Sequence, residues 1–348
     1  MVELPVATMG EPTMQRSIAS SSRRPGVFLP RSLLAGFAVV AGFCVALAGL
    51  SSCDKGASGS PAMRSLLAEM PASSPIVGGV AVGKIRQSAL FKKYQDQLLS
   101  RLPRQLVEIK ETCGIDVIND IETVVVSVGE DPNDRSQQLY AVQGNFDEEK
   151  IASCLRTMVK KLDPGAPEVV IEKKGKITAY SDGKGRALHV YWPDSKTAVI
   201  APEVIADLDA LGRLIEGPRL SDNKEVMEMV GKVDMGAALW TAGRIPPGAV
   251  GNLGMMASMA PRQLHVAIDV GSEVTARIGL RFEKDDQASG LAGLAKLGIG
   301  QLKAKPEAKE FADVLDAITF EPSGKDLIVK AKVTMEQVDR MVQKAMNQ

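Results

Sequence analysis

Hydrophobic and polar residues follow one another along most of this chain with the two periods that distinguish strands from helices. Alternating or β-branched apolar runs predict strands over 76–82, 121–128, 139–146, 169–172, 177–181, 187–192, 197–201, 235–242, 264–270, 274–282, 318–321 and 327–333. Apolar residues spaced three and four apart predict helices over 84–110, 147–161, 202–215, 223–230, 285–303, 306–317 and 334–348, with the first divided at Pro103. Strands joined by short turns and interspersed with helices indicate an antiparallel α+β fold.

Two short motifs recur in the same order. Residues 146–155 (FDEEKIASCL) recur as 282–291 (FEKDDQASGL), where a strand ends in Phe and Ala-Ser-x-Leu opens a helix. Residues 171–176 (IEKKGK) recur as 320–325 (FEPSGK), across a strand, a turn and a strand. Recurrence of this kind indicates an internal duplication.

The duplication divides the chain into two predicted repeats, 76–232 and 233–348. The order of strands and helices in each predicts a ferredoxin-like (split β-α-β) repeat with its own antiparallel sheet. Residues 53–75 are rich in Gly, Ser, Ala and Pro, which predicts a flexible tether with at most one helical turn, over 63–70. Residues 1–52 form a separate leader.

The leader has the features of a bacterial lipoprotein signal peptide. Residues 32–53 carry no charge and follow four arginines. Their ending, Leu50-Ser51-Ser52-Cys53, resembles a lipobox, in which the cysteine is diacylated through its sulfur and becomes the first mature residue. We therefore expect lipidation of Cys53, with acyl chains such as palmitate. The alternative is an uncleaved membrane helix, since the apolar run is long enough to span a bilayer.

Either form of the leader predicts a location in the cell envelope. The arginines hold the N-terminus in the cytoplasm, so the rest of the chain faces the periplasm or the outside. Which membrane carries the anchor stays open.

Charge and aromatic content exclude nucleic acid as a partner. Four Arg and two Glu lie in the leader, which leaves 38 basic and 40 acidic residues in the mature chain. Aromatic residues make up only 4% of the chain. A near-neutral chain with few stacking side chains has no footprint for nucleic acid.

The four cysteines reduce to one pair in the mature chain. Cys44 lies within the leader and Cys53 is the acylation site, which leaves Cys113 and Cys154. An even pair in an oxidising compartment predicts a disulfide. The hypothesis is that this disulfide links the two helices of the first repeat. The alternative is two separate buried thiols.

No residue pattern predicts catalysis, a cofactor or a metal site. The only histidines, His189 and His265, each lie in a strand pattern without the spacing of a zinc site, and we expect them at solvent-facing or edge positions. Residues 78–85 nearly match a P-loop but have Ile85 where Ser or Thr would hold Mg²⁺. Residues 130–134 form an acidic turn without EF-hand spacing.

Two further stretches carry a family resemblance. Residues 114–121 lead through Gly-Ile-Asp into a strand, and residues 197–208 form a strand followed at once by a helix. With the paired strand-Phe-helix units, they resemble a loose group of uncharacterised bacterial envelope proteins with a duplicated ectodomain of unknown function. The resemblance implies a duplicated α+β ectodomain and brings no catalytic residues.

The expected function is therefore a lipid-anchored envelope module that binds or scaffolds. Its partners would be the membrane, through the lipid, and other envelope proteins. One alternative is a periplasmic chaperone-like helper, which needs an apolar groove near Met255, Met256 and Met259. The other is a hydrolase whose site is assembled from distant residues.

Overall fold

A computed structural model describes residues 59–100, 104–131, 138–181, 187–201, 208–246 and 260–346. The lipidation site Cys53, the leader and the methionines Met255, Met256 and Met259 lie outside these residues.

All strands of the described residues belong to one antiparallel sheet. They are β1 (Ile76–Ala81), β2 (Ile121–Val128), β3 (Leu139–Gly144), β4 (Val170–Lys174), β5 (Ile177–Ser181), β6 (Ala187–Asp194), β7 (Thr197–Ala201), β8 (Leu239–Arg244), β9 (Gln263–Val270), β10 (Glu273–Arg281), β11 (Thr319–Ser323) and β12 (Asp326–Thr334). Their order across the sheet is β11-β12-β10-β9-β8-β1-β2-β3-β7-β6-β5-β4. The predicted antiparallel α+β class is confirmed.

Eleven α-helices lie within the described ranges. They are α1 (Pro61–Ala68), α2 (Val82–Gln87), α3 (Ala89–Ser100), α4 (Arg104–Cys113), α5 (Val117–Asp120), α6 (Glu148–Leu162), α7 (Leu208–Glu216), α8 (Lys224–Val230), α9 (Asp285–Ala304), α10 (Ala312–Asp316) and α11 (Met335–Met346). Short 3₁₀ turns occupy Leu220–Asp222 and Pro306–Phe311.

The prediction of two separate sheets is wrong, because β1 pairs with β8 across the boundary between the predicted repeats. The pairing runs antiparallel from Ile76 opposite Gly243 to Val80 opposite Leu239. β1 is buried on both faces, with Val77 on one and Val80 on the other. An unpaired edge here would leave buried backbone groups without hydrogen bonds, and pairing with β8 removes that cost.

The two halves of the sheet have the same strand order on either side of β1 and β8. In the second half β10 and β11 are parallel, joined through α9, with β12 paired between them. In the first half β3 and β6 are parallel, with β7 paired between them. The first half differs in the extra hairpin β4–β5, which extends the sheet beyond β6.

The first recurring motif occupies equivalent places in the two halves, and the second does not. Residues 146–155 follow β3 into α6, and residues 282–291 follow β10 into α9. The hairpin β11–β12 borders β10, so its counterpart beside β3 is β6–β7. The second motif instead matches β11–β12 with the extra hairpin β4–β5.

Helices cover both faces of the first half. On the face that carries Val77 and Trp240, here called the front, α1, α7 and α8 pack over the sheet. On the opposite or back face, which carries Val80 and Val124, the covering helices are α4 and α6. In the second half α9, α10 and α11 pack on the back face, with Leu90 of α3 reaching α11.

The predicted tether is wrong for the residues that the structure describes. Ser60 caps α1 by accepting a hydrogen bond from the Met63 backbone, and Pro61 begins the helix. Met63, Leu66 and Met70 are buried in the front core. Apolar spacing thus outweighs the Gly- and Ser-rich composition, and the folded part begins before β1.

Candidate functional site

A disulfide joins Cys113 at the end of α4 to Cys154 in α6. The two Cα atoms are 5.0 Å apart and the cysteines are separated by 41 positions in sequence. Around the bridge Leu106, Ile109 and Met158 are buried in the back core. The bridge therefore holds α4 and α6 of the first half beside each other within the hydrophobic back core.

A cluster of polar side chains connects the start of α6 to the sheet. Glu148 accepts hydrogen bonds from Thr178 Oγ1 at 2.5 Å and from Lys173 Nζ at 2.7 Å. Burial favours the neutral carboxyl, but these two donors hold the pKa of Glu148 below its usual value. Burial, and then the charge of Glu148, raises the pKa of the nearby Tyr180 hydroxyl. A fixed carboxylate beside a neutral phenol stabilises the fold and supplies no nucleophile.

The prediction that the histidines face solvent or lie at an edge is wrong. His189 in β6 is 4% exposed and His265 in β9 is 6% exposed. Both strands are interior to the sheet, with neighbours on each side. His189 pairs with Ala201 and His265 with Ala242, and both alanines belong to the front core, so each histidine lies on the front face, where α7 and α8 pack.

His265 lies among charged side chains, one of which is the carboxylate of Asp326. Its ring fills the space above Gly279 on β10, where a Cβ atom would overlap it. Burial lowers its pKa to about 4, and the positive charges of Arg277 and Lys232 act in the same direction. A neutral buried imidazole surrounded by cations is a poor acceptor of protons at neutral pH.

The carboxylates near His265 are occupied by ion pairs. Glu228 of α8 and Asp326 of β12 both pair with Arg281, at 2.5 Å and 3.0 Å. Lys232 reaches the same two carboxylates at 3.3 Å and 3.9 Å. This network ties α8 to the second half of the sheet and holds both carboxylates in ion pairs.

Next to this network the front face of β10, β11 and β12 carries no helix of the described residues. Seven front-facing side chains of these strands define what we call the open face: Glu273, Thr275, Arg277, Glu321, Ile328, Lys330 and Lys332. The hydrophobic clusters that include these three strands draw only on their back-facing residues. Cross-strand ion pairs, such as Lys330 with Glu321 at 2.6 Å and Lys332 with Glu273 at 2.6 Å, cover the open face.

Glu130 of the acidic turn and Asp116 at the start of α5 have structural partners. Glu130 pairs with Arg244 of β8. Asp116 caps α5 and pairs with Lys110 at 2.7 Å. In the parts of the chain that the structure describes, no group of three or more His, Cys, Asp and Glu side chains is placed to hold a metal ion. No helix in those parts has both the length and the apolar character needed to cross a membrane.

Comparison with known proteins gives few likenesses. No protein-family model and no curated protein matches the chain. Crystal form III of TP0453 matches with a TM-score of 0.44 and 11% identity, over 80% of this chain and 97% of that one. Crystal form I matches with a TM-score of 0.41 and 12% identity, over 83% and 98%. Scores at this level do not establish a common fold or function.

Proposed function

We propose that this chain is a lipid-anchored protein of the bacterial cell envelope that binds a folded protein partner on its open face and has no catalytic role. The observation that supports the proposal is the unequal covering of a single sheet. Helices pack on both faces of the first half, whereas the front face of β10, β11 and β12 has none among the described residues. The rim of an interface between folded proteins is polar and accessible to solvent, as the open face is.

The anchor is proposed from the leader sequence. Cys53 lies only six positions before Gly59, where the described residues begin, and α1 follows immediately. A lipid at Cys53 would hold the sheet close to the bilayer on a short connection. Several acyl chains on one cysteine suffice for stable attachment.

The shared strand order supports the duplication proposed for the two halves. In each half two parallel strands enclose an antiparallel one, as in a split β-α-β unit. We propose that each half is a ferredoxin-like repeat. The strand that borders the split β-α-β unit on its other side, β2 beside β3 or β9 beside β10, precedes that unit in sequence instead of following it.

The two alternatives receive less support. A chaperone-like helper needs an apolar groove, whereas Ile328 is the only large apolar residue of the open face. A hydrolase needs a reactive group in a cleft, whereas His265 and Glu148 are both held by structural contacts. The methionines proposed for a groove lie outside the described residues.

Metabolic labelling with a fatty acid tests the anchor. We expect the wild-type chain to incorporate the label and to partition with membranes, and Cys53→Ser to lose both. Label on the Cys53→Ser variant would show acylation at another residue, and membrane retention of the wild type without label would show an uncleaved helix instead.

Photocross-linking in intact cells tests the binding face. A photoreactive amino acid at Lys332, on the open face, should give one discrete adduct with another envelope protein. The same amino acid at Thr157, exposed on α6, is the matched control and should give none. Arg277→Glu with Lys330→Glu should reduce the Lys332 adduct severalfold. Equal adducts from both sites, or no adduct from Lys332, would contradict the proposed binding face.

A further inference from the structure

The outward side of α9 is apolar. Its inner side packs on the back face through Ala288 and Ala292, which are buried. On the outer side Leu294 is 54% exposed and Leu297 is 67% exposed. Of the large apolar side chains that are exposed in the described residues, these two are the most exposed. A scattered surface leucine needs no explanation, but two that lie one helical turn apart indicate a contact surface.

Glycines flank these leucines on the same side of the helix. A Cβ atom at Gly290, Gly293 or Gly298 would meet nothing within 4 Å, so packing inside this chain does not require glycine there. Each glycine costs a helix about 1 kcal/mol relative to alanine. Small residues beside exposed leucines allow another helix to approach closely, and such an approach gives the glycines a role.

The charges of α9 define how a second α9 would lie. Asp286 is exposed in the first turn and Lys305 is exposed just after the last. Neither side chain has an ion pair among the described residues. A parallel pair of helices would bring Asp286 next to the partner's Asp286, which is unfavourable. An antiparallel pair brings Asp286 next to the partner's Lys305.

In the antiparallel arrangement, the apolar residues on the outer side of α9 also lie opposite apolar residues of the second copy. With Asp286 opposite the partner's Lys305, Leu294 lies opposite the partner's Leu297. Gly293 then lies opposite the partner's Gly298. A twofold interface needs this kind of self-complementary surface, in which each contact occurs twice.

We propose that α9 is the interface of a homodimer, in which the α9 helices of two copies pack antiparallel at a shallow crossing angle, about 20°. The partner is a second copy of this chain. A lipid surface fits less well, because the rim of this apolar patch carries an aspartate as well as a lysine. The interface lies on the back of the sheet, so it leaves the open face of each copy accessible and does not rest on the proposed function.

Sedimentation of the full-length chain in mild detergent tests this inference. We expect a dimer for the wild type and at least a tenfold weaker association for Leu297→Glu, because the interface would then bury two unpaired carboxylates. Val170→Glu is the matched control. Val170 is also an exposed apolar residue, at 45%, but it lies on the edge strand β4, and its substitution should leave the dimer unchanged.

A charge exchange distinguishes the antiparallel α9 interface from nonspecific hydrophobic association. Asp286→Lys alone should weaken the dimer, and Asp286→Lys with Lys305→Asp should restore it, because each pair is then reversed. Circular dichroism checks that every variant is folded. A wild-type monomer, a Leu297→Glu dimer of normal strength, or a failure of the double exchange to restore association would overturn the inference. Loss of binding to phospholipid vesicles by Leu297→Glu, with no change in mass, would identify a lipid surface as the occupant instead.

Discussion

On the front face of β9 and β10, one close contact between two residues determines the local packing. His265 lies over Gly279, and a methyl group at that position would overlap the imidazole ring. His265 is only 6% exposed, so its ring has little room to move aside. We predict that Gly279→Ala lowers the free energy of unfolding by about 1–3 kcal/mol, the usual cost of overpacking.

Gly300 on α9 provides the control for this prediction. A Cβ atom there meets nothing within 4 Å, so Gly300→Ala should raise the free energy of unfolding by about 0.5–1 kcal/mol through helix propensity. Urea unfolding of both variants measures the two effects. Equal stability of Gly279→Ala and the wild type would mean that the imidazole does not occupy the space above Gly279.

The same histidine predicts a pH dependence of stability. Its pKa is about 4 in the folded chain, through burial and then the charges of Arg277 and Lys232, with Arg281 adding to them and Asp326 opposing. The unfolded value is about 6.5. Between these two values the unfolded chain binds a proton that the folded chain does not, so stability falls as pH falls through this window.

At pH 5 this loss should be about 2 kcal/mol relative to pH 7. Unfolding free energies at the two pH values, measured for the wild type and His265→Asn, isolate the contribution, because few carboxylates titrate in this window. The variant should show a smaller difference between the two pH values. The same difference in both proteins would assign the pH dependence to other groups.

At the scale of elements, the disulfide holds α4 against α6. Closing a loop of 41 residues restricts the unfolded chain by about 4 kcal/mol at most. We predict that Cys113→Ser with Cys154→Ser lowers the free energy of unfolding by about 2–4 kcal/mol. The wild type in reducing agent should match the double variant. No stability difference on reduction would show that the bridge is not formed in the native protein.

A hydrogen bond between elements of different halves gives a second prediction. Tyr94 on α3 donates to Asp339 Oδ1 on α11 at 2.6 Å. Burial, and then this hydrogen bond, raises the pKa of Tyr94 to about 12. Because the acceptor is charged, Tyr94→Phe should cost about 1.5–3 kcal/mol of stability.

Tyr140→Phe is the control for this contact. The Tyr140 hydroxyl donates at 2.8 Å to the uncharged amide of Gln138, two positions away in sequence. Its removal should cost less, about 0.5–1.5 kcal/mol. Thermal unfolding compares the two variants, and equal losses would argue against a contact of α3 with α11 in solution.

Individual elements were predictable from the sequence where the pattern was local. The predicted strands 121–128, 177–181 and 197–201 match β2, β5 and β7 at both ends. α1 was missed as a core helix because Gly, Ser and Pro around it indicate a linker, although Met63, Leu66 and Met70 have helical spacing. That spacing was the available signal.

Contacts between distant parts of the chain were not predictable in this way. The pairing of β1 with β8 joins residues far apart in sequence, and no turn specifies its register. The burial of His189 and His265 depends on which face receives α7 and α8, which alternation alone does not define. The spacing of Pro193 and Lys196, which matches Pro322 and Lys325, was a signal for the equivalent hairpins β6–β7 and β11–β12.

At the scale of the whole molecule, the central claim is that both halves belong to one continuous sheet. β1 and β8 are adjacent at its middle, and Trp240 of β8 packs with Met63 of α1 in the front core. α3, which lies between two strands of the first half in sequence, contacts α11 of the second. Each half therefore stabilises the other, and the folded chain should unfold as one cooperative unit.

The two tryptophans of the chain test this claim most directly, because Trp192 lies in β6 of the first half and Trp240 in β8 of the second. Trp192→Phe and Trp240→Phe each leave one tryptophan as a local probe. In each variant, urea unfolding is followed by tryptophan fluorescence and by far-ultraviolet circular dichroism. We predict that the two signals have the same midpoint in both variants. A fluorescence transition that is separate from the circular dichroism transition in either variant would show two independent domains and contradict the single sheet.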